Sequence, residues 1–438
     1  YFLLKTIMRL ALKVYFRKQH INGLHNIPKG GPFIIVANHP SSFLDPVSIA
    51  ILINQKINFL AKATLFNNKI AAKLLYKLNL VPIYRAQDNP SKLRENKSVF
   101  EACYKKLGDN GIIMIFPEGT SENERRLRSI KTGAARIALG TAKENNYGLN
   151  IKILPVGLNY TKSSKFRSEL SIEFGEPLDT NDFIEDYQKN ETATARHLTL
   201  KIEESIKKLI INIDKQEHDE LVDKLETIYK TELSPNSKLP TEVSQEIVKA
   251  IGQFQQHNST VFNDTKFKID NYFEKLSQAN ISDKNISLEH ENSSLFVSTI
   301  KSVLKIVVGF PIWIIGIIHS YIPYRLTRTI ALIITKDEAF YGALLMSLGT
   351  ILFTLFYGLF MFLSWILFQD PFITLIYSLC LPLFGLFTIY YARFSRKFYY
   401  NWKFLSKFYS KNEMILELII ERKKITSELE LLRNDLEK

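Results

Sequence analysis

The sequence has few of the residues that build disulfide or metal frameworks. Only two cysteines, Cys103 and Cys380, occur among 438 residues, and they lie far apart in the chain. This excludes a disulfide framework and a cysteine-based zinc site, and it fits a reducing compartment. The eight histidines lack the spacing of metal ligands, and no glycine-rich phosphate loop of the Walker or dinucleotide type occurs. We therefore expect no metal ion and no bound cofactor.

Acidic residues are fewer than basic ones. The chain has 57 Lys and Arg against 44 Asp and Glu, a formal net charge of +13. Such a balance favours nucleic acid, an acidic lipid surface or phosphorylated substrates as partners. Charge alone does not choose among them, but no nucleic-acid-binding motif is present, so we expect no nucleic acid. At about 150 residues per domain, the length predicts two or three domains.

Residues 1–19 predict a basic amphipathic helix in the membrane interface. Lys5, Arg9, Lys13 and Arg17 recur every four residues, which gathers them on one side of a helix. Apolar residues cover more of the remaining surface than one core face requires. We expect acidic phospholipids of a bilayer to attract the basic side. The alternative is a surface helix of a soluble domain.

Residues 20–178 predict an α/β domain, a mixed sheet flanked by helices, because short apolar runs alternate with amphipathic stretches. Strands are predicted at 33–37, 57–61, 81–84, 112–116, 151–160 and 170–174. Helices are predicted near 46–54, 67–78, 92–107 and 132–143.

The rest of the chain is predicted to be helical. Residues 179–300 are charged, contain only one glycine before residue 292 and show no chemistry, so we expect a helical lid or spacer. Within a membrane region at 301–400, the stretches 341–368 and 372–392 are uncharged and long enough to span a bilayer. A three-residue link joins them, which predicts a transmembrane hairpin. Pro311, Gly316 and His319 interrupt the stretch 303–323, which predicts an interfacial or re-entrant segment.

The charges around this hairpin predict its orientation. Both outer ends of a hairpin lie on one side of the membrane, and here they carry Lys336, Arg393, Arg396, Lys397 and Lys403. The positive-inside rule makes that side cytoplasmic. We therefore expect an integral membrane protein with its α/β domain on the cytoplasmic face. The tail 401–438 predicts an amphipathic helix, for which a short coiled coil that forms a homo-oligomer and docking on the middle segment fit equally well.

A histidine and a carboxylate follow the first predicted strand. Residues 38–46 read Asn-His-Pro-Ser-Ser-Phe-Leu-Asp-Pro, which puts His39 and Asp45 on one short turn at a strand end. Strand ends are where α/β proteins place their sites. A carboxylate beside a general-base histidine fixes its tautomer and stabilises the imidazolium. Taken alone, a capped turn with Asp45 at the start of the next helix is the commoner explanation.

A second motif follows another predicted strand. Residues 116–120 read Phe-Pro-Glu-Gly-Thr, and a basic cluster at 125–136 comes after them. A carboxylate, a glycine turn and cations are thus close together in sequence. The alternative is a strand-to-helix turn with a solvated charged face, which the first motif makes less favourable.

Together these segments resemble the glycerolipid acyltransferase family over about residues 21–178. The family is recognised by an Asn-His…Asp turn, an arginine block, Phe-Pro-Glu-Gly-Thr and a proline-containing strand, here at 38–45, 81–85, 116–120 and 153–157. Phe-Leu-Ala-Lys at 59–62 also looks like a recurring family stretch. Five residues separate His39 from Asp45 where the commonest pattern has four. We associate this gap, with C-terminal membrane helices and a long helical insert, with the branch that acylates glycerol 3-phosphate or dihydroxyacetone phosphate.

The resemblance implies an O-acyltransferase of phosphatidic acid and phospholipid biosynthesis. It implies transfer of a fatty acyl group from acyl-CoA or acyl-carrier protein, as co-substrate, to the sn-1 hydroxyl of the acceptor. His39 is then the general base and Asp45 orients it, while Arg85 with Arg125 or Lys131 holds the acceptor phosphate. The full set of implied substrate-binding residues is Asn38, Lys62, Arg85, Glu118, Gly119, Thr120, Arg125, Lys131 and Pro155.

Two other functions stay open at this point. A lysophosphatidate acyltransferase would use the same residues on an acceptor that already carries one acyl chain. A non-catalytic membrane protein, which binds lipid or tethers a partner, is the alternative of another class.

Overall fold

The computed structural model describes residues 2–85, 88, 90–232, 240–287, 292–410 and 413–436. The chain divides into two compact units. The α/β unit comprises Tyr1–Asn212 and Ile330–Leu348, and the helical unit comprises Ile213–Thr329 and Gly349–Lys438.

A mixed sheet forms the centre of the α/β unit, as predicted. Its strands are β1 Lys18–Asn22, β2 Phe33–Ala37, β3 Ile57–Lys62, β4 Leu80–Ile83, β5 Ile112–Ile115, β6 Lys152–Tyr160, β7 Glu169–Phe174 and β8 Leu178–Asp179. They follow the order β1-β7-β6-β2-β5-β3-β4, with β8 paired to β6. Strand β6 runs antiparallel to β7 and β8, and all other neighbours are parallel. The carboxyl ends of β2, β3, β4, β5 and β6 therefore meet at one edge.

Helices cover both faces of this sheet. They are α1 Phe2–Tyr15, α2 Leu44–Ala50, α3 Lys69–Lys77, α4 Asn96–Gly108, α5 Gly133–Glu144, α6 Ile184–Lys189 and α7 Glu191–Leu209. Strand β2 is buried along its whole length, with Phe33 and Ile35 in one apolar layer and Ile34 and Val36 in the other. This double burial explains why β2 reads as an unbroken apolar run.

The α/β unit extends beyond the predicted boundary at residue 178. Leu198, Ile202 and Ile206 of α7 are fully buried in the core layer that contains Ile34 and Val36. The apolar face of α7 thus completes the sheet packing, so this helix is not part of a separate spacer. Strand β1 was not predicted, because its sequence Lys-Gln-His-Ile-Asn has no apolar run and it pairs only at the sheet edge.

The basic side chains of helix α1 do not all point toward a lipid surface, because two of them contact the α/β domain. Lys5 donates a hydrogen bond to the carbonyl of Ile53, and Arg9 donates to that of Ile51 at 2.8 Å. These carbonyls follow the end of α2, so the two cations attach α1 to the domain. The exposed side of α1 is apolar, with Leu3 at 73% and Leu10 at 59% exposure.

The helical unit is built from α8 to α15, two of which continue into the α/β unit. These helices are α8 Asp219–Glu232, α9 Pro240–His257, α10 Ser259–Ala279, α11 Asp283–Ser287, α12 Asn292–Ile334, α13 Glu338–Phe368, α14 Pro371–Tyr409 and α15 Glu413–Leu436. Helix α15 packs on α10, where Lys275 pairs with Glu417 at 2.6 Å and Lys268 with Glu428 at 2.9 Å. Of the two arrangements expected for the tail, the structure shows docking on the middle segment.

Within the described residues, three helices are long and apolar enough to cross a membrane, namely Lys301–Ile334, Glu338–Phe368 and Pro371–Phe408. Only Gln369 and Asp370 separate α13 from α14, as expected for a hairpin. Asp370 caps α14 by accepting a hydrogen bond from the Phe372 amide at 2.7 Å.

Helix α12 is continuous, which corrects the expectation that it is interrupted. Pro311, Gly316 and His319 lie inside one helix. The imidazole of His319 is satisfied there, because Nδ1 lies 2.7 Å from a backbone carbonyl one turn earlier and Nε2 lies 2.7 Å from the Tyr377 hydroxyl. Its ring also contacts Phe360, with ring centroids 4.9 Å apart.

The contacts of α12 show its path along the hairpin. Its middle, at His319, touches residues 360 and 377, which lie close to the hairpin link. On one flank the Tyr391 hydroxyl donates to the Ile306 carbonyl at 2.8 Å. On the other flank Gly349 lies close to Thr327, because a Cβ built on Gly349 would be 3.7 Å from the Thr327 side chain. Residues 349 and 391 are farther from the link, so both flanks of α12 run away from it, and this helix must bend along the stretch that contains Pro311 and Pro323.

A buried ion pair joins helices of the helical unit. Asp283 of α11 accepts hydrogen bonds from Arg422 Nε and from the Tyr272 hydroxyl, each at 2.8 Å. Asp283 is 2% exposed and Arg422 6% exposed. Both charges are therefore removed from water and depend on each other.

We expect Asp283→Ala to destabilise the helical unit by about 3–5 kcal/mol, because it leaves the Arg422 guanidinium buried without its carboxylate. Denaturant unfolding of the purified chain in detergent measures this loss. The control is Lys268→Ala, which removes a partly exposed pair and should change stability much less, because water screens such pairs. Equal effects of the two substitutions would contradict the prediction.

Candidate active site

The predicted histidine and carboxylate are in direct contact. His39 follows the end of β2, and its Nδ1 lies 2.7 Å from Oδ2 of Asp45, in the first turn of α2. Asp45 is fully buried, whereas the His39 side chain is 19% exposed. A proton on Nδ1 donates to the carboxylate, which leaves the Nε2 lone pair free to accept a proton from a substrate.

The backbone conformation of Ser42 accommodates the extra residue between His39 and Asp45. Its φ is +41°, in the left-handed region. The tight turn lets Asp45 Oδ2 also accept the Ser41 amide at 2.7 Å. The five-residue gap is therefore compatible with direct contact.

Tyr160 is a third member of this group, and the sequence analysis missed it. The Tyr160 hydroxyl, at the end of β6, donates to Asp45 Oδ1 at 2.7 Å. Burial and the nearby carboxylate raise the pKa of Tyr160 well above its usual value, so the phenol stays a proton donor. The only sign of Tyr160 in the sequence was its position at the end of the predicted strand that contains the proline block.

The Phe-Pro-Glu-Gly-Thr loop holds the histidine turn in place. Glu118 Oε1 accepts the His39 amide at 2.8 Å, and Ser121 Oγ accepts the Ser42 amide at 2.6 Å. The His39 ring stacks on Phe116, with centroids 4.0 Å apart. Burial raises the pKa of Glu118, and the hydrogen bonds that its carboxylate accepts from backbone amides oppose that rise. Glu118 thus shapes the site through the backbone of His39.

Three of the predicted substrate-binding residues meet beside this loop. Gly119 has φ +75°, and a Cβ there would lie 2.7 Å from Lys131 Nζ. Only glycine fits both the backbone conformation and the lysine. Arg85 donates to the Gly119 carbonyl, which brings both cations close to Glu118.

Asp88, which the sequence analysis did not single out, pairs with two of the predicted cations. It accepts hydrogen bonds from Arg85 Nε at 2.7 Å and Arg85 Nη2 at 3.0 Å, and Lys62 Nζ lies 3.3 Å away. Hydrogen bonds from Arg85 hold the pKa of Asp88 below its usual value. A carboxylate therefore lies where the acceptor phosphate was expected.

Two of the predicted substrate-binding residues make contacts within the sheet. The Asn38 side chain donates to the Leu158 carbonyl at 2.9 Å and accepts the Leu158 amide at 2.8 Å, which ties β2 to β6. Pro155 is buried within β6, opposite Val36. Thr120 and Arg125 are half-buried in the segment between β5 and α5.

The described residues contain no group of three or more His, Cys, Asp or Glu side chains placed to hold a metal ion. Cys103 is fully buried in α4, and burial raises its pKa to about 12. Its thiol therefore stays protonated and does not act as a nucleophile. The chemistry that this site supports is proton transfer beside a cluster of cations.

The Acyltransferase family model matches residues 18–159, which contain His39, Asp45, the Phe-Pro-Glu-Gly-Thr loop and the nearby cations, and Tyr160 follows directly after them. The segment is also similar to two proteins of Saccharomyces cerevisiae. Glycerol-3-phosphate O-acyltransferase 1 is 28% identical over 177 residues, 39% of this chain and 23% of the yeast protein. Glycerol-3-phosphate O-acyltransferase 2 is 33% identical over 113 residues, 26% of this chain and 15% of that protein.

Bacterial proteins match over more of their own length. The 1-acyl-sn-glycerol-3-phosphate acyltransferase of Bacillus subtilis is 27% identical over 218 residues, 48% of this chain and 95% of that protein. The crystal structure of the 1-acyl-sn-glycerophosphate acyltransferase of Thermotoga maritima aligns with 47% of this chain and 77% of that one, at 23% identity and a TM-score of 0.35.

The family model and the two yeast relatives confirm the family predicted from the four motif blocks. Residues 18–159 form an acyltransferase domain of the glycerolipid acyltransferase family. The chain matches less than a quarter of the length of either yeast relative.

Tyr160→Phe removes one of the donors to Asp45 and should slow acyl transfer about tenfold, since a hydrogen bond to a charged group contributes about 1.5 kcal/mol. Without this donor Asp45 is held less firmly and orients His39 less well, so the loss should fall on kcat rather than on KM. The control is Tyr15→Phe, which removes a buried hydroxyl that bonds to Ser163 and not to Asp45. An equal loss of kcat in both variants would show a merely structural role for Tyr160.

Proposed function

We propose that this protein is a membrane-bound O-acyltransferase that moves a fatty acyl group from an acyl thioester to the sn-1 hydroxyl of glycerol 3-phosphate or dihydroxyacetone phosphate. The observation that carries this proposal is the exposed edge of His39, held by a buried Asp45 beside Arg85, Lys62 and Lys131. A base next to several cations suits an acceptor that carries both a hydroxyl and a phosphate. The names of the two yeast relatives support the choice of acceptor.

In the proposed reaction, His39 Nε2 takes the proton of the acceptor hydroxyl as its oxygen attacks the thioester carbonyl. Asp45 stabilises the resulting imidazolium. The C–S bond breaks, the new ester forms, and the departing thiolate takes the proton from His39. Transfer is direct and passes through no acyl-enzyme, which agrees with the buried, protonated Cys103.

The acyl donor in this proposal is acyl-CoA or acyl-carrier protein. Arg85, Lys62 and Lys131 hold the acceptor phosphate, and the phosphate takes over the ion pairs that Asp88 makes with the first two. Arg85 is well suited to this exchange, because its planar guanidinium binds carboxylate and phosphate in the same bidentate way.

A lysophosphatidate acyltransferase is the second candidate. The Bacillus subtilis relative, whose name gives this activity, matches over 95% of its length, against 23% and 15% for the yeast proteins. The same base and the same phosphate-binding cations serve either acceptor. Competition between the two acceptors in one assay decides between them.

We also propose that the α/β domain works on the cytoplasmic face of a membrane. The apolar exposed side of α1, including Leu3 and Leu10, would enter the interface, while α13 and α14 anchor the chain. An acylated product is poorly soluble in water, so a site beside the bilayer lets it leave.

We expect His39→Ala to lower acyl transfer by about 10²–10⁴-fold without loss of folding, because it removes the general base and little of the core. The assay uses membranes that carry the chain, acyl-CoA, and glycerol 3-phosphate, dihydroxyacetone phosphate and lysophosphatidate as competing acceptors. His25→Ala, at an exposed position, is the matched control. Activity of His39→Ala equal to wild type excludes the mechanism, and inactivity of the wild type on all three acceptors favours a non-catalytic protein.

We expect Asp88→Asn to lower the KM for glycerol 3-phosphate about fivefold, because the phosphate no longer displaces a carboxylate whose partly exposed ion pairs are worth about 1 kcal/mol. The value of kcat should not change. Asp182→Asn, at an exposed position outside the site, is the control for loss of one negative charge. A raised KM would show that Asp88 positions the cations for the substrate.

We propose that the bent helix α12 is a re-entrant segment, which predicts that residues 287 and 335, before and after it in the sequence, lie on one side of the membrane. In a chain without its native cysteines, Ser287→Cys and Thr335→Cys should react with an impermeant maleimide from the cytoplasmic side, and Gln369→Cys only from the other side. Labelling of Ser287→Cys and Thr335→Cys from opposite sides would show that α12 crosses the membrane.

A further inference from the structure

The helical unit contains a cavity that the proposed acyl transfer does not use. Its volume is ≈ 520 Å³, and residues of α8, α9, α10 and α15 line it. Five buried aliphatic side chains form its inner wall, namely Leu221, Leu225, Ile247, Ile251 and Ile269. Every residue of its lining belongs to the helical unit, whereas His39 and Arg85 belong to the α/β unit.

The size and lining of the cavity suit a single acyl chain. The volume lies within the range of about 300–1,000 Å³ that ligand sites have, and bundles commonly place such sites between helices. Apolar walls such as Phe254 and Leu429 offer water no partners.

The charged residues of the lining determine which end group fits. They are Glu246, Lys249, Lys266 and Arg433, so cations outnumber anions three to one. Lys249 and Arg433 are exposed and Lys266 is half-buried, which places positive charge at the solvent side of an apolar interior. An amphiphile that buries its chain and leaves a negative head at the surface matches this arrangement.

We propose that this cavity binds one single-chain anionic amphiphile, with its acyl chain among the four helices and its carboxylate or phosphate at Lys249, Lys266 and Arg433. Two sources share this chemistry, a free fatty acid and a lysophosphatidate. The site is separate in its residues from the acyltransferase site, so the proposal does not depend on the proposed function.

The test uses palmitate that carries a diazirine at its methyl end. The full chain is reconstituted in phosphatidylcholine vesicles, irradiated with the probe and digested, and labelling of peptides from α8, α9, α10 and α15 is compared with that of α13 and α14. We expect strong labelling of the first group. Excess unlabelled palmitate or lysophosphatidate should suppress it, and the more effective competitor identifies the source, whereas uncharged monoacylglycerol should not suppress it.

Two variants make the result specific to the cavity. Ala250→Phe fills the space and should lower labelling of the cavity helices about tenfold or more. Lys249→Glu, which leaves the core intact, should lower it as well and keeps the test informative if Ala250→Phe does not fold. Lys424→Glu, an exposed residue of α15 outside the lining, is the matched control and should label like wild type.

Three outcomes would overturn the proposal. Labelling confined to α13 and α14 would show that the probe only dissolves in the bilayer. Labelling unchanged in Lys249→Glu, or lowered equally in Lys424→Glu, would show that these charges do not hold the head group. Equal suppression by monoacylglycerol would show that the cavity does not select anions.

Discussion

The geometry of the active site depends on the buried carboxylate of Asp45. A charge without solvent exposure is stable only when hydrogen bonds replace its water. Asp45 obtains them from three places in the sequence, namely His39, the Ser41 amide and Tyr160. These bonds tie the end of β2, the start of α2 and the end of β6 together. Glu118 adds the loop after β5 by accepting the His39 amide, so the His39 ring is fixed on all sides except its exposed edge.

The α/β unit also connects the active site to the apolar helix α13. Lys5 and Arg9 attach α1 to the end of the helix that carries Asp45. The start of α13 packs into the same core, where Ala343 and Met346 are buried. Residues that anchor the chain in lipid are therefore extensions of the elements that hold the catalytic turn.

Much of this arrangement could be predicted from the sequence, because parallel strands buried on both faces read as apolar runs and their ends gather at one edge. Phe33–Ala37 and Ile112–Ile115 are such strands. The contact between His39 and Asp45 across a wider gap could not be settled from spacing, since it depends on the left-handed backbone of Ser42.

The residues that sequence reasoning missed take their roles from contacts that their local pattern does not show. Tyr160 is 115 residues from Asp45, and nothing in its local pattern distinguishes it from a core tyrosine. Asp88 looks like an ordinary loop carboxylate until folding places it between Arg85 and Lys62. The stripe of Lys5 and Arg9 was assigned to lipid because periodicity shows that residues share a helix face and does not show what that face contacts.

The central claim is that His39 and Asp45 act as one unit in acyl transfer. A double-mutant cycle tests it most directly, with kcat measured for His39→Ala, Asp45→Asn and the double variant of the full chain in vesicles with acyl-CoA and glycerol 3-phosphate. Groups that act as a unit give strongly non-additive losses. We predict that the double variant is no slower than the slower single variant. Losses that multiply, or a single variant with wild-type kcat, would contradict the account.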